Sequence, residues 1–338
     1  MFAGLALAVL LLAACGGTAS PALSAPPVSG AASGKPVVSA GAAPAGQLKT
    51  LKIATPVVGS AFAYLYAARD LGYFKNHGID AQIIALAPAA SVAALQAGDL
   101  AFSAAVGSVA RSALKGINVR VVLLAANKPN FIVLGAKGVT SIDQVKGKVV
   151  AVDAPGSTSF VMLTEVLKRK GLQPGQYQTV AANSDQARSL LVSNGQASAC
   201  ILDVSNAVKL EEEGYPVLAG IADLPEAPFS GLGTSSAAIQ KNPDLLKAGL
   251  QATLEGIDAM RTKKAEVLPI MAKTLSITPA QAGAVFDAMQ PSWTTDGRSS
   301  QAATDFELTN DQQALKLKQK PTPDQIYDFS LLDSLAKK

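Results

Sequence analysis

Residues 148–171 read KVVAVDAPGSTSFVMLTEVLKRKG. Lys148 to Val152 is a short apolar, β-branched run of the kind that makes a buried strand. Gly156, Ser157 and Thr158 then open a helix, which runs to Lys170 and stops at Gly171. Strand, small-residue loop and helix is the repeating unit of an α/β fold, and it recurs on both sides of this stretch. Upstream, Leu51–Thr55, Asp80–Leu86, Phe102–Val106 and Val119–Ala125 read as strands. The helices between them are Ser60–Phe74, broken near His77-Gly78, then Ala89–Ala97, stopped by Gly98, and one opened by Gly107-Ser108 that runs to Lys115. Val119–Ala125 is apolar throughout, as a strand buried on both faces must be. After Phe131-Ile132-Val133-Leu134 the pattern starts again with a short helix, Ser141–Val145. Downstream, Tyr177–Val180, Ala199–Asp203 and Val217–Gly220 are expected strands, with helices over Asp185–Ser193 and Val204–Glu213. From Asn242 onward the chain reads as nearly all helix. The alternation predicts an α/β fold with parallel sheets, and its restart predicts two lobes. Ligands bind beyond the carboxyl ends of such strands, so a small-molecule cleft is expected where the lobes face each other.

Composition narrows the function. Of 338 residues, 16% are charged and 49% apolar, and the net charge is +4 without a basic stripe. Nucleic-acid binding is therefore not supported. The N-terminal segment differs in kind. Leu5–Ala14 is apolar and uncharged, too short for a bilayer span of about 20 residues but suited to a signal h-region of roughly 7–15. It ends Leu12-Ala13-Ala14-Cys15-Gly16, which resembles the bacterial lipobox. That resemblance implies a signal peptide over residues 1–14, lipidation of Cys15, and anchorage to a membrane in the cell envelope, on its periplasmic or extracellular side. Residues 15–48 are Ala, Pro, Ser and Gly-rich with little charge and read as a flexible tether.

Four further segments resemble the SsuA/NMT1/THI5-like substrate-binding proteins of ABC importers. Arg69 to Asp80, RDLGYFKNHGID, is similar to that group's A-x-x-x-G-x-F-x-x-x-G-[LI]-D segment. Ala94 to Phe102, ALQAGDLAF, is similar to A-L-x-x-G-x-[LI]-D-[FI]. Val145–Val152 with Gly156-Ser157-Thr158 is similar to L-K-G-K-x-[IV]-x-V-x-x-G-S-T, and Gly195–Ala199 with Asp203 to G-x-[VA]-D-A. Together they cover most of residues 50–335. The resemblance implies a periplasmic-binding-protein type II fold, with two α/β lobes around a hinged ligand cleft. It implies crossovers near Phe131–Gly135 and Phe229–Thr234, with lobe 1 over 49–133 plus 235–338 and lobe 2 over 134–234. It further implies a monomer that captures a small organic solute, such as a sulfonate, nitrate or a thiamine-precursor pyrimidine, and passes it to an ABC permease and its ATPase. A ligand-loaded protein that signals to a membrane sensor is the alternative.

The cleft should be lined by four loops: Thr55 and Ser60 after the first strand, Gly107-Ser108, Gly156-Ser157-Thr158, and Asp203, Ser205 and Asn206. Helix N-termini offer unpaired N–H groups and partial positive charge, which suits a sulfonate, carboxylate or phosphate. Asp153 and Asp203 weigh against a strongly anionic ligand. Asp203 either meets a cationic or amine ligand or caps the helix after it. Trp293 either stacks on a ligand ring or packs between helices. No enzyme is expected. His77 is the single histidine, and it lacks a Gly-x-Ser-x-Gly partner motif. No Gly-x-x-x-x-Gly-Lys-Ser/Thr loop occurs. Cys200 lies in an apolar strand, and no cysteine zinc site, metal site or cofactor is expected.

Overall fold

Apolar β-branched runs make the strands in the computed structural model, which describes residues 47–155 and 157–336. The described residues form one compact unit. The expected signal, Cys15 and most of the tether lie outside the described residues. The first sheet contains β1 (Lys49–Thr55), β2 (Ile79–Ala85), β3 (Phe102–Ser103), β4 (Val119–Ala126) and β10 (Ser230–Ser235), in the order β2-β1-β3-β10-β4. The second contains β5 (Phe131–Gly135), β6 (Val149–Val152), β7 (Gln178–Ala181), β8 (Ala199–Asp203) and β9 (Val217–Ala219), in the order β7-β6-β8-β5-β9. The helices are α1 (Ala63–Asp70), α2 (Tyr73–Asn76), α3 (Pro88–Ala97), α4 (Val106–Leu114), α5 (Thr158–Arg169), α6 (Asp185–Ser193) and α7 (Val204–Glu212), then the C-terminal set α8 (Ser236–Lys241), α9 (Pro243–Thr262), α10 (Lys264–Leu275), α11 (Pro279–Met289), α12 (Gln301–Ala314) and α13 (Ser330–Ala336). Each sheet with its helices is called a lobe below. None of the described helices is long and apolar enough to cross a membrane.

The sheets are mixed rather than parallel. β1 pairs in parallel with β2 and β3, and β6 with β7 and β8. β10 runs antiparallel between β3 and β4, as β5 does between β8 and β9. These two strands are the ones that arrive from the other lobe, which is why their direction is reversed. The expected crossovers at 131–135 and 229–234 therefore coincide with strands, each lying wholly within one sheet. The boundaries expected at 133/134 and 234/235 fall inside β5 and β10. The segments that pass between sheets are 127–130 and 220–229, and they run side by side: Ala227 N–H donates to Asn127 O (2.8 Å) and Phe229 N–H to Ala126 O (3.0 Å). A pair of adjacent crossings is the usual geometry of a hinge.

Local chemistry accounts for the other departures. The helix expected over Ser60–Phe74 is interrupted because Gly72 takes φ 83°, separating α1 from α2. β3 is shorter than expected. Ala104 N–H donates to Ala54 O (2.7 Å) and Ala105 N–H to Ser103 Oγ (3.3 Å), and the chain turns into α4 at Val106. The core is continuous on the hinge side. Cys200, Leu202, Val204 and Ala207 of lobe 2 pack in the same cluster as Met260, Val267, Phe286 and Met289 of the C-terminal helices. Each such large side chain contributes about 1.5–3 kcal/mol of apolar burial, which holds the lobes together at that edge. Trp293 belongs to this core: it is buried and meets Tyr64 edge-on at 6.1 Å.

Candidate functional site

A cleft of about 640 Å³ lies where the two lobes face each other. The strand ends and helix starts build it as the fold requires. Pro56, Val57 and Phe62 follow β1, Gly107 and Ser108 sit in the first turn of α4, and Thr158 starts α5. Asp203 ends β8. Both crossings contribute, Asn130 from the first, with Phe131 just after it at the start of β5, and Phe229 from the second. The Phe131 and Phe229 rings meet edge-on, 5.5 Å apart at 70°. The last wall is α12, whose Phe306, Glu307, Asn310, Asp311 and Ala314 share one helical face by their three- and four-residue spacing.

Of the residues expected from sequence, Gly107, Ser108, Thr158 and Asp203 line this cleft. The others are not among the residues that line it, and Gly156 lies outside the described residues. Ser157 is the N-cap of α5, its Oγ accepting from Phe160 N–H at 3.2 Å, a bond that contributes about 1 kcal/mol. Ser205 donates backbone N–H to Asp203 Oδ1 at 2.8 Å, and its hydroxyl donates to the same oxygen. Asn206 donates to Asp185 Oδ2 at 2.7 Å. Thr55 is buried with an unpartnered hydroxyl. Asp153 is not on the cleft wall; it lies 3.9 Å from the buried guanidinium of Arg188.

Ser60 has a different role from the one expected. Its hydroxyl donates to Asp203 Oδ1 at 3.3 Å, and it accepts from Asn130 Nδ2 at 2.6 Å. Asn130 Nδ2 also donates to Asp203 Oδ2. Ser60 belongs to lobe 1, Asp203 to lobe 2 and Asn130 to the crossing between them, so one polar cluster ties all three. Asp203 both caps α7 and faces the cleft. Burial raises its pKa above the usual carboxylate range, although the bonds from Ser205 and Asn130 pull the other way.

A second acidic cluster went unread in the sequence. Arg111 of α4 donates through Nε to Asp311 Oδ1 at 3.0 Å. Beside them Tyr327 OH donates to Glu307 Oε2. Burial pushes the Glu307 carboxyl up to about 7, opposed by the Tyr327 hydrogen bond and by Arg111, and reinforced by Asp311. Asp311 is raised by burial too, against the pull of Arg111. Phe131 had a local signal as the first residue of an apolar strand, and Asn130, just before it, had none. The α12 residues had only an amphipathic face, and such a face does not say which surface it meets.

The histidine and the described cysteine both stand apart from the cleft wall. Cys200 is buried, and burial pushes its thiol up to about 12, so it is not an activated nucleophile. His77 sits away from the cleft wall with Nε2 2.7 Å from Glu255 Oε1. Among the described residues no group of three His, Cys, Asp or Glu side chains could hold a metal ion.

The model of the family described as NMT1/THI5 like matches residues 60–266. A ligand-binding component of an ABC-type import system from Staphylococcus aureus, with zinc bound, shares the fold at a TM-score of 0.69 and 16% identity, over 86% of this chain and 100% of that one. The periplasmic aliphatic sulphonate binding protein SsuA of Escherichia coli superposes with a TM-score of 0.67 and 17% identity, over 84% and 99%. The periplasmic nitrate-binding protein NrtA of Synechocystis gives 0.59 and 12%, over 86% and 89%. These likenesses establish the periplasmic-binding-protein fold. No match was found among curated protein sequences.

Proposed function

The chain belongs to the NMT1/THI5-like family, whose model spans more than half of it, and from that premise we propose that it is the extracytoplasmic solute-binding component of an ABC importer. The observation that carries this reading is the cleft itself. It is closed at one edge by a shared core, entered by two adjacent crossings, and bridged by the Ser60–Asn130–Asp203 cluster. Groups from both lobes converge on one cavity, so a bound solute gains contacts from each only when the lobes approach. That is how binding energy becomes a shape change, and a permease can read the closed shape.

Cys15 as a lipid anchor gives this role its place. A tethered domain is held near a membrane partner at raised effective concentration. The chain acts as a monomer beside a permease and its ATPase. Replacing Cys15 by Ser is expected to move the protein from the membrane fraction to the soluble envelope fraction. Unchanged membrane association in that variant would count against the anchor.

The solute-binding reading is tested by a thermal-shift screen of the purified full-length chain against sulfonates, carboxylates, pyrimidines and amines. A ligand present at about 100 times its Kd adds about 2.7 kcal/mol to stability, a readily measured rise in Tm. No response to any class in a broad library would remove the proposal.

A further inference from the structure

Resting on the solute-binding reading above, we propose that the solute is an organic cation, a hydrophobic or aromatic body carrying an N–H-donating ammonium group. The charges on the cleft wall point this way. Among the described lining residues the charged ones are Arg111, Asp203, Glu307 and Asp311, and the single guanidinium is already engaged by Asp311 at 3.0 Å. Arg111 is half-exposed and gives only its Nε to Asp311, so its other N–H groups remain donors on the wall, but three carboxyl groups outnumber that one cation.

Two acceptors of this wall lack partners. Asn130 is 1% exposed and Asp311 2% exposed, and both line the cleft. Asn130 Oδ1 and Asp311 Oδ2 are buried without a hydrogen bond. An orphaned buried acceptor is costly unless a donor arrives. Asn130 cannot remedy this by turning its amide over, because its Nδ2 already serves Ser60 and Asp203. Neither Asn130 Oδ1 nor Asp311 Oδ2 opens onto the cavity in this conformation, so the acceptors a ligand meets there are the partly exposed carboxyl groups of Asp203 and Glu307, which suit a donor-bearing cation better than a sulfonate or nitrate. The partial positive charge at the starts of α4 and α5 opposes this preference, each amounting to about half a unit charge, against the two carboxyl groups, Asp203 and Glu307, that Arg111 does not pair with.

The rest of the wall describes the body of the ligand. Phe62, Phe131, Phe229 and Phe306 surround the cavity with Val161 and Met162. Aromatic faces bury an apolar skeleton and attract a cation through the ring quadrupole. A cavity of about 640 Å³ accommodates more than nitrate or a short alkanesulfonate would fill.

The test is a matched series measured by calorimetry on the full-length chain: 2-phenylethylamine and tryptamine, the uncharged alcohols 2-phenylethanol and tryptophol, 2-phenylethanesulfonate, and nitrate. The amines are expected to bind at least tenfold more tightly than the alcohols, with no binding of sulfonate or nitrate. Their affinity should rise between pH 5.5 and 7.5, because a bound cation favours the ionised carboxylate of Glu307, whose charged and titratable neighbours are Tyr327, Arg111 and Asp311. An anion would show the opposite slope. Sulfonate or nitrate binding without amine binding overturns the ligand class and leaves solute capture standing. Equal binding of alcohols and amines overturns recognition of charge. Silence from every compound here and in the broad library overturns both readings.

Discussion

Gly231→Ala is expected to destabilise the protein by at least about 3 kcal/mol and to lower Tm by on the order of 10 °C. Gly231 lies in β10, the strand that returns from lobe 2 and inserts between β3 and β4. A Cβ at this position would fall 2.1 Å from Leu123 O and 2.8 Å from Leu124 Cα. Both are backbone atoms of β4, so no side-chain rotation relieves the clash. The strand itself must move, and its pairing already carries irregularities between Ser230 and Gly231 and between Leu232 and Gly233. Moving it also disturbs Tyr64, a fully buried side chain whose OH donates to Gly231 O at 2.9 Å. Overpacking a core commonly costs about 1–3 kcal/mol, and a rigid backbone obstacle puts this case at or above the top of that range. Thermal and urea unfolding of the purified variant measure it. A Tm within about 2 °C of the parent chain would show that β10 shifts more freely than this packing allows. Because Phe229 immediately precedes β10 and lines the cleft, the same displacement should weaken solute binding in whatever fraction stays folded.

β10 also shows where sequence reading ends. Its sequence is SGLGTS and all six residues are buried. Gly, Ser and Thr in that density carry no strand period of their own, so the segment is placed only as a crossover that the family resemblance implies. The small side chains are there because neighbours press from both sides: Leu123 O beside Gly231, and the Val109 side chain of α4 within 2.7 Å of where a Cβ on Gly233 would stand. That constraint is tertiary and leaves no period in the chain. By contrast β8 and α6 were legible to the residue, since an apolar run ending in Asp203 and a Ser184-capped amphipathic segment are local signals. The candidate site divides in the same way. Loops that open helices announced themselves through Gly and Ser, which is how Gly107, Ser108 and Thr158 came into view. The direction of each side chain was not legible: the hydroxyls of Ser60 and Ser205 turn toward Asp203. The α12 wall was not legible either, because Asp311 meets Arg111 from 200 positions away, and a single sequence carries no record of which helix folds back over a cleft.

The titration of Glu307 makes the second large effect, and its sign follows from the direction of the shift. Its carboxyl stands at about 7 in the folded chain against 4.5 when free, with burial as the main cause. The folded state therefore holds a proton that the unfolded state has lost between those two values. Stability must fall as pH rises through that window. Below about 4.5 both states are protonated and this penalty is absent; above about 7 both are ionised and it is present in full. Gln at position 307 keeps the size and a hydrogen-bonding partner for Tyr327 but does not ionise. Glu307→Gln should therefore gain on parent stability by on the order of 2 kcal/mol between pH 4 and pH 8, less than the full pKa difference implies because the side chain is partly open to the cleft. Urea unfolding of both chains at pH 4, 6 and 8 reads the difference directly, and other titrating groups cancel in the comparison. Parallel stability curves would mean that the carboxyl is not desolvated at all. A destabilising carboxylate kept on a cleft wall is hard to account for by folding alone. It is consistent with a group that gains its compensation when a donor-bearing solute arrives, so saturating the parent chain with such a solute at pH 8 should recover much of the stability that the Gln variant has without it.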